Sequence, residues 1–236
     1  MTSFNRSASV AILACVALAG SARPALAQQT LNVSFGRFMM PGHGRSETDV
    51  LLIEHHDLLF DIRDFSGASL GGEWLRPVRD RFEAGAGISF ARRTVSAVHG
   101  RVLNSDGSRV PRTLGLRQLP VAATFRMLPL GQAYRVQPYA GGGVALIPWS
   151  FSESGDFASQ TGPIFRGEAY EATGLAVGPV LLVGLRVAGD TLAFGVEGRH
   201  QRARGSFGPA FARVQDPDID LDGWTLQFTA GMRLAR

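Results

Sequence analysis

The chain has 236 residues, with 24 basic and 20 acidic side chains, 29 glycines and no lysine. The near balance of charge gives no electrostatic case for nucleic-acid binding, and the glycine content argues against a helical domain. Cys15 is the only cysteine, which excludes a small disulfide-stapled fold.

Residues 1–27 contain Arg6, the apolar run ASVAILACVALAG and a small-residue ALA at 25–27, the pattern of a secretory leader. The run is about a dozen residues long, whereas a spanning helix needs roughly 20. Cleavage is expected to leave one domain, 28–236. Without Arg6 and Arg23 its 24 basic residues become 22 against 20 acidic ones, and Cys15 is gone.

Eight segments alternate apolar and polar residues with the period of a strand, near 30–39, 67–76, 81–94, 113–127, 134–149, 174–188, 191–204 and 223–234. The links near 40–66, 95–112, 150–173 and 205–222 are long and polar, whereas those near 77–80, 128–133 and 189–190 are short and turn-like. Long and short links alternate strictly. An even strand number with that asymmetry predicts an all-β fold, an eight-stranded antiparallel transmembrane β-barrel behind an N-terminal signal peptide. In DVLLIEHHDLLF, 49–60, the apolar content is too high for an exposed loop. A strand above the bilayer, a short helix and a cover over the barrel mouth are all open readings of it.

Each strand then has a lipid face and a lumen face. In TLAFGVEGRHQRARG, 191–205, Leu192, Phe194 and Val196 oppose Glu197, Arg199 and Gln201. The inward set of charges is Glu73, Glu83, Arg186, Glu197, Arg199 and Arg233, with Arg117 and Arg135 as further candidates. Buried charges need partners, so an ion-pair network filling a narrow lumen is expected. Parity slips around Arg117 and Gln118, just before Pro120, which predicts a bulge. Trp74, Tyr134, Tyr139, Trp149 and Trp224 fall near strand ends, where interfacial aromatic girdles sit.

No catalytic constellation stands out. His55 and His56 lie beside Glu54, Asp57 and Asp61, but adjacent strand residues point apart, so no metal is expected. A lipid-deacylating barrel would need a His-x-Ser pair, and none exists in the chain; His200 is followed by Gln201 and Arg202. The GGG at 141–143 lacks the lysine and helix of a phosphate loop. Asp216, Asp218, Asp220 and Asp222 lack EF-hand spacing and read as a solvated loop.

The strings PVAATFRMLPLG, VQPYAGGGVALIPWSFSESGDF and GGEW resemble small outer-membrane β-barrel proteins of Gram-negative bacteria, of the size of the OmpA transmembrane domain and OmpW-like proteins. The resemblance covers roughly 28–236. It implies Sec export, residence in the outer membrane, and lipopolysaccharide, outer-membrane lipid and the barrel-assembly machinery as partners of a monomer without cofactor. The expected function is non-enzymatic, structural or surface-interacting, with a lumen closed by charge. The alternatives are a narrow pore for small or hydrophobic solutes and a soluble periplasmic lipocalin-like binder.

Overall fold

The computed structural model describes residues 29–158, 164–207 and 217–234. The expected leader, 1–27, and Asp216 lie outside the described residues. The elements in chain order are β1 (Gln29–Met39), α1 (Val50–Asp57), β2 (Leu58–Leu59), a 3-10 turn (Ile62–Phe65), β3 (Gly67–Arg79), β4 (Phe82–Leu103) and β5 (Arg109–Gln118). They continue with β6 (Val121–Met127), β7 (Val136–Ala158), β8 (Ile164–Ala188), β9 (Leu192–Gln201), β10 (Arg204–Ser206), β11 (Asp218–Asp220) and β12 (Gly223–Leu234).

The pairing closes on itself. β1 pairs with β3, β3 with β4, and β4 with both β5 and β6. Both of these pair with β7, which continues through β8 and β9 to β12. β12 returns to β1 over Gln29↔Leu234 to Met39↔Trp224. Every pairing in the ring is antiparallel, and a closed ring removes the unpaired edges that an open sheet would present.

The expected bulge near Arg117 is absent. Ala91 faces Gln118 and Ile88 faces Val121, so two residues on each strand separate the pairs and none is inserted. Pro120 interrupts the donor pattern because it has no N–H, yet its carbonyl accepts from Ser89 N at 2.9 Å. Arg112, Leu114, Leu116, Gln118, Ala122, Thr124 and Arg126 are all buried, so parity is continuous. What changes along this stave is the chemistry of the inner face, from apolar at Leu114 and Leu116 to charged at Arg126.

Two expected long loops are largely strand. The β4–β5 ladder reaches Leu103↔Arg109, leaving a tip at 104–108 where Gly107 takes a positive φ of 81°. The β7–β8 ladder reaches Ala158↔Ile164. Here the outward positions meet water: Ser152, Ser154, Glu171 and Thr173 replace the apolar residues found lower down, while Phe151, Glu153 and Phe157 stay buried on the inner side. With polar residues outward, the apolar–polar alternation is lost.

In DVLLIEHHDLLF the short-helix and cover readings hold together. Asp49 caps α1 by accepting from Leu51 N at 3.4 Å, β2 then pairs Leu58 with His99, and Asp61 caps the 3-10 turn. Leu51, Leu58, Ile62 and Phe65 are buried in one apolar cluster with Phe38, Leu114, Leu116, Trp149 and Phe151. The segment lies over the barrel end that carries the long connections, with its apolar side chains packed into that cluster.

The outer wall is apolar. Phe35, Leu181, Phe194 and Phe228 are 60%, 62%, 57% and 65% exposed, far beyond the scattered apolar exposure of a water-soluble surface. Leu192, Phe194 and Val196 belong to this wall, while Glu197 on the opposite parity is fully buried.

Candidate functional site: the barrel interior

The interior is layered. Nearest the short turns, Arg186 donates to both carboxylate oxygens of Glu83, at 3.2 and 2.7 Å, and to Gln137 Oε1 at 2.9 and 2.6 Å. Gln137 in turn donates to the carbonyls of Gln132 and Tyr134 at 2.9 and 2.8 Å, tying this layer to the β6–β7 turn.

The middle layer centres on Glu197. It accepts from Arg126 at 2.8 Å, Arg199 at 2.9 Å, Tyr139 Oη at 3.0 Å and Gln227 Nε2 at 2.9 Å. Glu73 pairs with Arg126, accepts from Arg199 at 3.3 Å and accepts from Thr124 Oγ1 at 3.2 Å. Two guanidiniums thus meet two carboxylates, and neutral donors fill the remaining lone pairs. Those are the conditions under which buried charge is tolerated. The Arg126 guanidinium also lies 4.8 Å from the Tyr139 ring centroid.

Glycine makes room for the large inward groups. Tyr139 and Gly184 are cross-strand partners, as are Trp149 and Gly174. A Cβ on Gly184 would collide with the Tyr139 ring, and one on Gly174 would stand 2.6 Å from the Trp149 ring. Each aromatic lies over a glycine, a packing that fills a narrow barrel without widening it.

Beyond the charges, Gln201 Nε2 donates to Gln118 Oε1 at 2.9 Å and to the Leu221 carbonyl at 2.8 Å. The apolar cluster under α1 follows. Outside it, Arg112 pairs with Glu153 and with Glu54 of α1 at 3.4 Å, its guanidinium 3.8 Å from the Phe157 ring centroid. A small interior cavity of about 10 Å³ lies beside Asn32, Glu73, Arg199 and Gln227, enough for one water.

Of the sequence-derived inward charges, Glu73, Glu83, Arg186, Glu197 and Arg199 meet in these layers. Arg233 does not: it sits at the short-turn rim and donates to the Gly189 carbonyl at 2.6 Å. Arg117 and Arg135 are exposed. Among the proposed girdle aromatics, Trp74, Tyr134 and Trp224 are exposed, Trp74 donating to Gln29 Oε1 at 3.1 Å and Trp224 packing 4.8 Å from the His200 ring. Tyr139 and Trp149 are corrections: both are buried and face inward. Their parity with Gln137 and Glu153, opposite to Val144, carried that signal. Arg126 was legible in the same way, on the parity opposite Phe125, but the expected bulge obscured it.

At the lid, His55 packs edge-on against Phe60 at 5.4 Å. His43, His55, Phe60, Asp61 and Arg63 line a cavity of about 400 Å³. Among the described residues no group of three or more His, Cys, Asp or Glu is placed to hold a metal. The acidic segment docks on the lid: Arg204 pairs with Asp220 at 2.8 Å and Asp218 at 3.4 Å, and Asp220 accepts from Ser46 N at 2.8 Å. Burial pushes the Asp49 and Asp218 carboxyls above the usual aspartate range, and their arginine neighbours offset only part of that rise.

No protein-family model matches the chain, and no curated protein does. Among solved structures it is similar to the outer membrane protein OprG of Pseudomonas aeruginosa, at 14% identity and TM-score 0.48 over 89% of this chain and 97% of that one. It is similar to Outer Membrane Protein W of E. coli, at 13% identity and TM-score 0.41 over 89% and 100%. Neisserial surface protein A shares 11% identity at TM-score 0.42 over 88% and 99%. The structural neighbours of this chain are small Gram-negative outer-membrane β-barrels.

Proposed function

We propose that the chain is a monomeric, non-enzymatic outer-membrane barrel with a closed lumen, serving a structural or surface-interaction role. Counting β5 and β6 as one interrupted stave, it has eight staves. The observation that supports this best is the pairing of an apolar outer wall with an interior occupied by mutually paired charge. Glu197, at 0% exposure, is bonded by Arg126, Arg199, Tyr139 and Gln227, and an apolar plug and α1 lie above it. A soluble lipocalin-like binder would place its apolar side chains inside, opposite to this arrangement. Residues 1–27 would direct Sec export, the barrel-assembly machinery would insert the domain, and the hairpin tips and lid would form the outer surface in contact with lipopolysaccharide.

Heat-dependent electrophoretic mobility and planar-bilayer conductance, read on the same preparation, test this. A compact band that shifts on boiling, with a silent bilayer, is the expected result. Steady channel openings would replace the closed lumen with the pore alternative. Recovery in the soluble fraction without a band shift would remove the membrane reading.

A further inference from the structure

The outer wall carries a pair of like charges that the fold leaves uncompensated. Arg92 on β4 and Arg117 on β5 are direct cross-strand partners. Both are exposed, while Gln118 and Leu116, flanking Arg117, are buried, so both guanidiniums stand on the outside of the barrel. Like charges directly opposite each other on a sheet are destabilising. Among the described residues neither side chain makes a hydrogen bond or an ion pair, in contrast to the inward arginines, all of which do.

Their height gives the pair its meaning. Towards the short-turn end the wall is apolar, with Phe90 one outward step away and Val121 two, 41% and 43% exposed. One step the other way it turns small and polar, with Thr94 facing Gly115 and Ser152 beside them. The arginines therefore stand at the boundary, where a lipid's hydrocarbon gives way to its headgroup and where an outward guanidinium costs little. Arg37, outward on β1, lies two strands from Arg92, about 10 Å at the usual strand spacing.

We propose that Arg92 and Arg117 form a binding site for the phosphate of a lipid headgroup in the outer leaflet, extended by Arg37. The proposal rests on the membrane reading above. One anion between two guanidiniums removes their repulsion and supplies charge-assisted hydrogen bonds to both. Its tail lies along Phe90 and Val121.

The full chain, refolded into phosphatidylcholine bilayers doped with phosphatidylglycerol, tests it, with bound lipid counted by native mass spectrometry. The wild type should retain phosphatidylglycerol in preference to phosphatidylcholine. Arg92→Gln and Arg117→Gln should each reduce that preference about fivefold and the double variant about 25-fold, from the contribution of one cationic residue near an anionic lipid surface. Unchanged selectivity in the double variant overturns the site, and so does displacement of the lipid by millimolar inorganic phosphate, which would indicate a free-anion site. The boiling-dependent band shift is recorded for every protein. If the wild type lacks it the membrane reading fails, whereas a shift with unaltered selectivity defeats this site alone. In neutral detergent Arg117→Gln should also raise the unfolding temperature, because one of two repelling charges is gone. A lowered temperature would mean a structural role and would overturn the proposal.

Discussion

At the scale of single residues, Glu197 is where the interior is most exposed to damage. Replacing it with Ala leaves the buried Arg126 and the part-buried Arg199 with only Glu73 between them, and breaking a buried pair in this way costs about 3 to 5 kcal/mol. Glu197→Gln keeps the shape and part of the hydrogen bonding and should cost less. Urea unfolding in detergent reads both, and a loss below about 1 kcal/mol for Glu197→Ala would mean that water reaches the site. Gly184 is a second point of control. Gly184→Val drives a side chain into the Tyr139 ring, with an overpacking cost of about 1 to 3 kcal/mol that Tyr139→Ala should partly restore. Additive losses in the double variant would mean that the two residues do not share space. Asp61 supplies a pH prediction. Hydrogen bonds from Arg63 hold its carboxyl down at about 2. A depressed folded value means that the contribution of Asp61 to the lid turn is complete above the ordinary carboxylate range and fades as pH falls from about 4 towards 2. The carboxyl carbon shift followed by NMR should titrate in that low window; a midpoint near 4 would show that the Arg63 contacts do not form.

At the scale of elements, the lid is held by two kinds of interaction whose removal should differ. Leu51 is fully buried in the apolar cluster, so Leu51→Ala should cost about 2 to 5 kcal/mol of lid docking. Arg112→Gln leaves Glu54 and Glu153 facing each other across the α1–barrel contact, which should open the same segment through repulsion and therefore in a salt-dependent way. Limited proteolysis should cut within 43–64 in both variants before the barrel staves are touched, with added salt slowing cleavage only in Arg112→Gln. Equal salt response in both would assign the latch to packing alone. The strands near 30–39, 67–76, 81–94, 113–127, 134–149, 174–188, 191–204 and 223–234 were legible because one face is apolar and the other polar. The strand extensions within 95–112 and 150–173 were read as loops because outward positions such as Ser152, Ser154, Glu171 and Thr173 are polar. The bulge read near Arg117 has a second cause: under the lid the inner face turns apolar at Leu114 and Leu116, which imitates a change of parity.

For the whole molecule, the sequence determined the period-2 patterning, the alternation of short turns with long connections, the apolar wall and most of the inward charges. Each of these depends only on which neighbour along one strand faces outward or inward, information that is local to the chain. The tertiary structure alone decided how the charges are matched. Glu73 with Arg126, Glu83 with Arg186 and Glu197 with Tyr139 lie 53, 103 and 58 residues apart, and their contacts exist only once the ring closes and its stagger is set. It also decided which glycine on the neighbouring strand each of Tyr139 and Trp149 lies over, and that Arg92 and Arg117 stand side by side. Cross-strand register is a property of two segments and a closure condition, which no single segment of sequence contains.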